Sequence, residues 1–366
     1  MSFLVPKKPQ ILYAPMLASF GGGSARGFNP GGGPSVSVEG AHVIYGAGAT
    51  SFTVPAGVYA MRVVIVAGGA GGATFGAGSG GGAAMKLLEV SPGESISYQL
   101  GLGGAGCTSG TPRGNNGGVT NFSNLSAGGG TRGPDSQGNS VNEAGPGAGS
   151  GGTVNGTGGY GMVYYSSDNN TPQDYLNWRN GNATYRVVGN NGGAGGGGYS
   201  NDNSAAGPGG TGSFFGGGGG GGGADNGRGG NGGNGGNSAI YGNAFANNMY
   251  GGAGGSSDGT NGQALSSGGT FGGEAGKSGA DSSGNGGDGG RPTSVFSPGA
   301  AGGTGTGQQA GGGGAGWPGG GGGAAGHNGA EGGGDGARGM IYIIHGPDVT
   351  DSYTSPIPQV QPTLIS

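Results

Sequence analysis

The sequence predicts an all-β domain in which a small β-sandwich carries a long glycine-rich insertion. Short apolar or alternating runs bounded by turn residues occur between about residues 36 and 122, and a further strand-like run follows at residues 340–344. Between them glycine dominates, and 111 of the 366 residues are glycine while 19 are proline. Such a composition is far from that of an ordinary globular domain. We therefore expect residues 36–122 and 340–344 to form the sandwich.

Composition excludes several classes of protein. Charged residues make up only 8% and the net charge is -4, which argues against nucleic-acid binding and against a polybasic membrane surface. No apolar run approaches the roughly 20 residues of a membrane helix. The 14 Tyr, 11 Phe and 2 Trp argue against disorder, and the lack of a continuous Gly-X-Y register argues against collagen. With Cys107 as the single cysteine, no intrachain disulfide forms, and folding in a reducing cytoplasm is expected.

Residues 1–35 are predicted to be an extended segment that docks on another protein. Five prolines exclude a helix there, and Pro9 and Pro15 interrupt a run that otherwise imitates a signal peptide. Large apolar side chains in this segment have no core of their own. These docking candidates are Ile11, Leu12, Tyr13, Met16, Leu17 and Phe20.

Strands of the sandwich are predicted from their periodicity and turns. Ser51–Val54 alternates and ends at Pro55-Ala56-Gly57, a turn with proline at its first central position. Met61–Ala67 is nearly continuous in apolar residues, as expected for a strand covered on both faces. Ala84–Val90 ends at Ser91-Pro92-Gly93-Glu94, which fits a type II turn, and Ile96, Tyr98 and Leu100 then share one face. Residues 347–366 are predicted to be an extended tail containing proline.

The glycine-rich stretch predicts helices of the polyproline II type. Local three-residue periods occur at 229–237, 286–291 and 326–332, and three residues per turn is the period of that helix. A bundle of such helices is stable only if almost every backbone group is paired, because glycine loses much freedom on ordering. We therefore expect a cooperative bundle that is intolerant of side chains at inward glycines and is clamped by the strands.

Aromatic residues interrupt the glycine, and two interpretations remain open. They are either a small internal core or an exposed contact surface, because Tyr and Trp are favoured at interfaces. The candidates for receptor contact are Tyr160, Tyr164, Tyr165, Tyr175, Trp178, Phe214, Phe215 and Trp317.

Motifs that suggest chemistry are weak. Gly101–Gly106 fits a dinucleotide fingerprint, but such matches arise often by chance in this composition and no helix is predicted to follow. Gly276-Lys277-Ser278 lacks the first glycine of a P-loop. The histidines are His42, His327 and His345, which are far apart and are each expected to be a surface or strand-end residue. We therefore predict no enzyme activity, cofactor or metal site.

Several motifs in order resemble the glycine-rich domain of tailed-bacteriophage tail-fibre and receptor-binding virion proteins. The motifs are Thr50–Val58, Val63–Gly72, Val90–Glu94, Gly101–Gly106, Gly117–Phe122 and Gly336–Ile344. The resemblance covers roughly residues 36–346 and implies a small β-sandwich with glycine-rich insertions stacked as polyglycine II helices. It also implies that the loops of these insertions contact a host receptor.

The expected function is therefore that of a tail fibre or tail-tip adhesin that attaches a virion to the host cell. Its expected partners are other tail or fibre proteins through residues 1–35, a host glycan or outer-membrane protein, and two further copies in a homotrimer. No nucleic acid and no membrane insertion are expected. A structural decoration protein of capsid or tail without receptor binding is the alternative, and an ice-binding lattice or a capsule-degrading tailspike fits the sequence less well.

Overall fold

In a computed structural model of the chain, described residues are 38–46, 50–108, 113–133, 144–162, 190–197, 209–210, 215–222, 312–325, 332–347, 349–351 and 363–365. Residues 1–37 lie outside this part, so the docking candidates between Ile11 and Phe20 do too. Within the described residues the fold is all-β, as predicted. No described helix is long and apolar enough to cross a membrane.

Eleven strands are found in the described part of the chain, and they form two mainly antiparallel sheets. The strands are β1 Gly40–Ile44, β2 Ser51–Thr53, β3 Ala60–Val66, β4 Ala83–Glu89, β5 Ser95–Gln99, β6 Thr120–Phe122, β7 Leu125–Ala127, β8 Gly149–Ser150, β9 Val154–Gly156, β10 Met340–His345 and β11 Thr363–Ile365. One sheet has the order β11-β1-β10-β3-β4-β9 and the other β2-β5-β6-β7-β8. The sandwich thus extends beyond residue 122 and includes β7, β8 and β9.

The core between the sheets is built from alternating positions. On β3, Met61, Val63 and Ile65 face this core, and on β10 Ile341 and Ile343 do so. The facing sheet contributes aromatic side chains, of which Phe52 and Phe122 have ring centroids 6.2 Å apart. Burial alternates along β5, so that Ile96 and Tyr98 lie inside, as their period of two predicts.

The other face of the six-stranded sheet is also covered. Val64 and Val66 of β3 and Tyr342 of β10 belong to a second core with Phe215 and Trp317, which come from the glycine-rich insertion. Arg62 lies on this face too and is fully buried. The prediction of a strand buried on both faces is therefore confirmed for β3.

The two predicted turns differ in outcome. Glu94 donates its N–H to the carbonyl of Ser91 at 3.0 Å, and Gly93 has a φ of 81°, so the type II turn is confirmed. In the earlier turn Val58 donates to the carbonyl of Pro55 at 3.2 Å. Proline is therefore the first residue of that turn rather than its first central residue, and Gly57 supplies the positive φ of 79°.

Glycine-rich segments continue the strands and pack side by side, and we call them the glycine lattice. They comprise residues 67–82, 101–107, 113–118, 128–133, 144–148, 157–162, 192–197, 216–222, 312–325 and 332–339. Within 67–73, N–H groups three residues apart donate to the same neighbouring segment. The bonds run from Gly68 to Gly118 (3.0 Å), from Gly71 to Asn115 (3.0 Å), from Gly69 to Ala337 (2.9 Å) and from Gly72 to Gly334 (2.9 Å).

The segment 67–73 lies in the interior of the glycine lattice and is bonded to six neighbours. Its donors bond to three of them, and its carbonyls accept from the other three. The neighbours are 77–82, 101–107, 113–118, 128–133, 319–325 and 332–339. The N–H groups of this segment thus point in three directions and its carbonyls in three others. Its main-chain groups therefore find hydrogen-bond partners although the segment is not part of a sheet.

Close approach of backbones explains why glycine is required here. A Cβ added at Gly69 would collide with the carbonyl of Gly320, and one added at Gly72 with the carbonyl of Gly323. The obstructing atoms are main-chain atoms, so no side-chain rotation relieves the collision. The expected intolerance of inward positions to side chains follows directly from this spacing.

Described residues within 347–366, the range expected to be an extended tail, contribute to the domain. β11 pairs with β1 in parallel, with His42 opposite Thr363. Asp351 accepts hydrogen bonds from the Leu87 N–H and the Thr153 hydroxyl, each at 2.8 Å. Asp351 therefore lies beside β4, next to the start of β9.

Candidate functional site

The glycine lattice has one end that faces away from the sheets, which we call the distal end. The chain leaves β3 through 67–73, turns at Phe75 and returns through 77–82 to β4. Other segments end at the same level, as their terminal hydrogen bonds show. These bonds run from Ala77 to Met162 (2.7 Å), from Cys107 to Gly72 (2.8 Å), from Ala324 to Gly197 (3.1 Å), from Ala325 to Ala73 (3.0 Å), from Gly333 to Cys107 (3.0 Å) and from Gly313 to Gly221 (2.8 Å).

Six chain segments outside the described part are therefore joined to the distal end. Four of them, 109–112, 134–143, 223–311 and 326–331, connect described residues that both lie there. Two more, 163–189 and 198–208, follow Met162 and Gly197, which lie there as well. Their own structure lies outside the described residues.

Five of the eight predicted receptor-contact residues fall outside the described part. Tyr164, Tyr165, Tyr175 and Trp178 belong to 163–189, and Phe214 belongs to 211–214. Tyr160 is among the described residues. It lies two residues before the end of the segment 157–162, and 37% of its surface is exposed. It is therefore available for contact close to the distal end.

Two other candidates do not lie at a surface. Trp317 has no exposed area, and its indole Nε1 donates to the carbonyl of Gly339 at 3.2 Å. Phe215 is 2% exposed and packs in the same core. Both side chains cover the six-stranded sheet where the strands Val64–Val66 and Met340–Tyr342 would otherwise expose apolar area. The interpretation as core residues therefore replaces that of receptor contact for this pair.

One apolar residue of the distal end was missed by the sequence analysis. Phe75 forms the tip of the turn after Ala73 and packs against Ala77 and Ala324. Its local sequence, Ala73-Thr74-Phe75-Gly76, carries no period that would mark a contact residue. Its place at the tip of a lattice hairpin follows only from the return of the chain to β4.

Two of the three histidines lie side by side, and one of them, His345, is the last residue of β10, in line with the expected strand-end position. β1 and β10 pair with Gly40 opposite His345, which brings His42 and His345 together although they are 303 residues apart. Their Nε2 atoms are 3.2 Å apart, and Nδ1 of His345 is 2.6 Å from the carbonyl oxygen of Val38. His345 is 2% exposed, whereas His42 is partly exposed and also meets the ring of Phe52.

Burial shifts the pKa values of a few titratable groups in the sandwich. Burial, and to a smaller extent the neighbouring His345, lower the pKa of His42 to about 4. Burial also lowers the pKa of Arg62, while Tyr342 and Asp351 counteract that change. The pKa of Tyr342 is raised by burial, and Arg62 opposes the rise. Near neutral pH, His42 is therefore uncharged.

Other polar groups of the described part have structural roles. The predicted fingerprint Gly101–Gly106 is a segment of the glycine lattice, in which Gly104 donates to the carbonyl of Gly69 at 2.9 Å. Cys107 is buried, and its sulfur accepts the N–H of Gly333 at 3.1 Å. Within the described ranges, no three His, Cys, Asp or Glu residues come together in a group that could hold a metal ion.

The comparisons with known proteins identify a family of glycine-rich domains. The family model described as "Glycine-rich domain" matches residues 44–263, which is more than half of the chain. The match begins in β1 and runs through the sandwich strands β2 to β9 and through eight of the ten segments of the glycine lattice. The search of curated proteins found no match.

Proposed function

The chain belongs to the glycine-rich domain family, and on that premise we propose that it is a bacteriophage virion protein, a tail fibre or tail-tip adhesin that attaches the particle to the host surface. The supporting observation is a division of the domain into two ends. Val38, the first described residue, lies beside His345 at the end of β10, whereas the glycine lattice leads into the opposite end of that strand at Met340. The proposed docking segment, residues 1–35, and the proposed recognition surface at the distal end therefore join the domain at opposite ends.

Rigidity of the glycine lattice supports adhesion as its purpose. Interior segments with six bonded neighbours hold the residues at the distal end in fixed relative positions, and preorganised contacts bind with a smaller entropic cost. Its three-residue bonding period agrees with polyglycine II helices, which we propose as its regular structure. The high glycine content then allows the segments that end at the distal end to lie close together.

Recognition is assigned to the distal segments and their aromatic residues. Tyr160 is exposed there, and the chain continues from Met162 into 163–189, which contains Tyr164, Tyr165, Tyr175 and Trp178. Tyr and Trp provide large contact area at low conformational cost. The proposed receptor is a glycan or an outer-membrane protein, and three copies on a fibre would multiply weak contacts into firm attachment.

The proposed docking partner is another tail or fibre protein, bound through residues 1–35. With 8% charged residues and a net charge of -4, the chain is not proposed to bind nucleic acid or to insert in a membrane. We also propose that it performs no catalysis and that its place of action is the virion, after synthesis in the host cytoplasm.

Binding of fluorescently labelled protein to cells of the phage host tests the recognition step. Two exposed tyrosines at opposite ends provide a matched pair, since Tyr160 is 37% exposed near the distal end and Tyr59 is 40% exposed before β3, beyond the far end of the sandwich. We expect Trp178→Ala and Tyr160→Ala to reduce cell binding at least several-fold and Tyr59→Ala to leave it unchanged. Full binding by all three variants, with failure of virion assembly on deletion of residues 1–30, would instead support a purely structural protein.

A further inference from the structure

A pair of histidine side chains on β1 and β10, beside Val38, has the geometry of two ligands for one metal ion. The Nε2 atoms of His42 and His345 are 3.2 Å apart, and their ring centroids are 5.4 Å apart. Each Nε2 is therefore turned toward the other ring. Two imidazole nitrogens on a tetrahedral zinc ion, each at 2.0–2.1 Å from the metal, are separated by about 3.3–3.4 Å. The observed separation is close to that value, and the two rings must also rotate so that both Nε2 atoms point to an ion beside the line that joins them.

The second ring nitrogen of His345 fixes its tautomer in the form that binds metals. Its Nδ1 lies 2.6 Å from the carbonyl oxygen of Val38, and because a carbonyl only accepts, Nδ1 carries the proton. The lone pair of Nε2 is then directed at His42. Histidines that bind metals typically donate their other N–H to a backbone carbonyl or a carboxylate, which orients the ring and raises its basicity.

We propose that His42 and His345 together bind one divalent transition-metal ion of the Zn²⁺, Ni²⁺ or Cu²⁺ class. Imidazole nitrogen suits these ions, whereas Ca²⁺ and Mg²⁺ require oxygen ligands. In the metal-free pair, the N–H of His42 Nε2 fills the space between the rings. When the ion replaces this hydrogen bond, the proton moves to Nδ1 of His42, so both rings stay neutral and no proton is released.

The site is open on one side, because His42 is partly exposed while His345 is buried. Since no third protein ligand joins the pair in the described residues, water completes the coordination of the ion. The ion would fasten β1 to the end of β10 across 303 residues of chain. An ion that binds the folded chain, and not the unfolded chain in which the two histidines are far apart, is expected to stabilise the domain.

Titration of the full chain with ZnCl₂, in protein made without a polyhistidine tag, tests the proposal. The chain has only three histidines, and its one cysteine is buried, which limits other binding. We expect one ion per chain by calorimetry, a rise in Tm on adding ZnCl₂ that EDTA reverses, and at least a tenfold weaker affinity in His42→Gln. His327→Gln is the control and is expected to bind as the wild type does.

A spectroscopic measurement keeps the test decisive if His42→Gln fails to fold. The electron paramagnetic resonance spectrum of the wild type with one equivalent of Cu²⁺ should show coupling to two imidazole nitrogens. Equal zinc affinity in wild type and His42→Gln, or a Cu²⁺ spectrum with fewer than two nitrogens, would overturn the assignment.

Discussion

Gly72 is the position where the spacing of the glycine lattice is most directly tested. In Gly72→Ala the new Cβ would lie 2.6 Å from the carbonyl carbon of Gly323 and closer still to its oxygen, whereas real Cβ contacts essentially never fall below 3.0 Å. Both obstructing atoms belong to the main chain. The segments 67–73 and 319–325 must therefore separate.

The hydrogen bonds between these two segments set the size of the effect. Gly322 donates to the carbonyl of Ala70 at 2.9 Å, and Ala325 donates to the carbonyl of Ala73 at 3.0 Å. Each bond contributes roughly 0.5–1.5 kcal/mol net, and each buried group left unpaired costs about 1–3 kcal/mol. Separation of the segments should therefore lower the free energy of unfolding by about 2–5 kcal/mol.

Urea denaturation of Gly72→Ala beside Gly145→Ala provides the assay. At Gly145 an added Cβ meets only the Thr131 hydroxyl oxygen, at 3.7 Å, which is ordinary contact. This control should be neutral or more stable than the wild type by about 0.4–1 kcal/mol, because alanine restricts the unfolded chain. If both variants shift the midpoint equally, loss of backbone spacing is not what glycine prevents, and the account of the lattice is wrong.

Three further outcomes are expected from the same denaturation assay. Trp317→Ala should lose about 3–5 kcal/mol, because it opens a cavity under the six-stranded sheet; a loss below about 1 kcal/mol would contradict its role as a core residue. Asp351→Ala should lose about 1–3 kcal/mol by removing the acceptor for the Leu87 N–H, and a neutral result would show that water replaces it. Tyr98→Phe should gain about 1 kcal/mol, because the buried Tyr98 hydroxyl has no hydrogen-bond partner in the described residues. Burial raises the pKa of Tyr98 above 10.0, so the wild type should lose stability as pH rises beyond 10 and Tyr98→Phe should lose less; parallel pH curves would contradict this.

Strands of the sandwich were predictable because their signals are local. The alternation of β5 and the turn Ser91–Glu94 are each contained in a few residues, and both are as predicted. The strands β3 and β10 were each predicted from one apolar run, Met61–Ala67 and residues 340–344, and the structure adds that the two strands pair. Tertiary context did not overrule these preferences.

Features that depend on long-range register were not predictable. His42 and His345 meet only because β1 and β10 pair with Gly40 opposite His345, and neither sequence position carries a sign of the other. Trp317 stands among glycines, so its environment is set by where the chain crosses the sheet rather than by its neighbours in sequence. The distal position of Phe75 likewise depends on the return of the chain to β4.

The way the long segments join the glycine lattice has a consequence for how such a protein diversifies. The chain leaves for residues 223–311 beside Gly221 and returns beside Gly313, and these two residues are hydrogen-bonded to each other at 2.8 Å. The entropic cost of closing a loop, expressed as a free energy, rises by only about 0.6 kcal/mol for each doubling of the loop length. Length and composition there can thus change widely at almost no cost to the framework, much as antibody variable loops change on a constant sandwich.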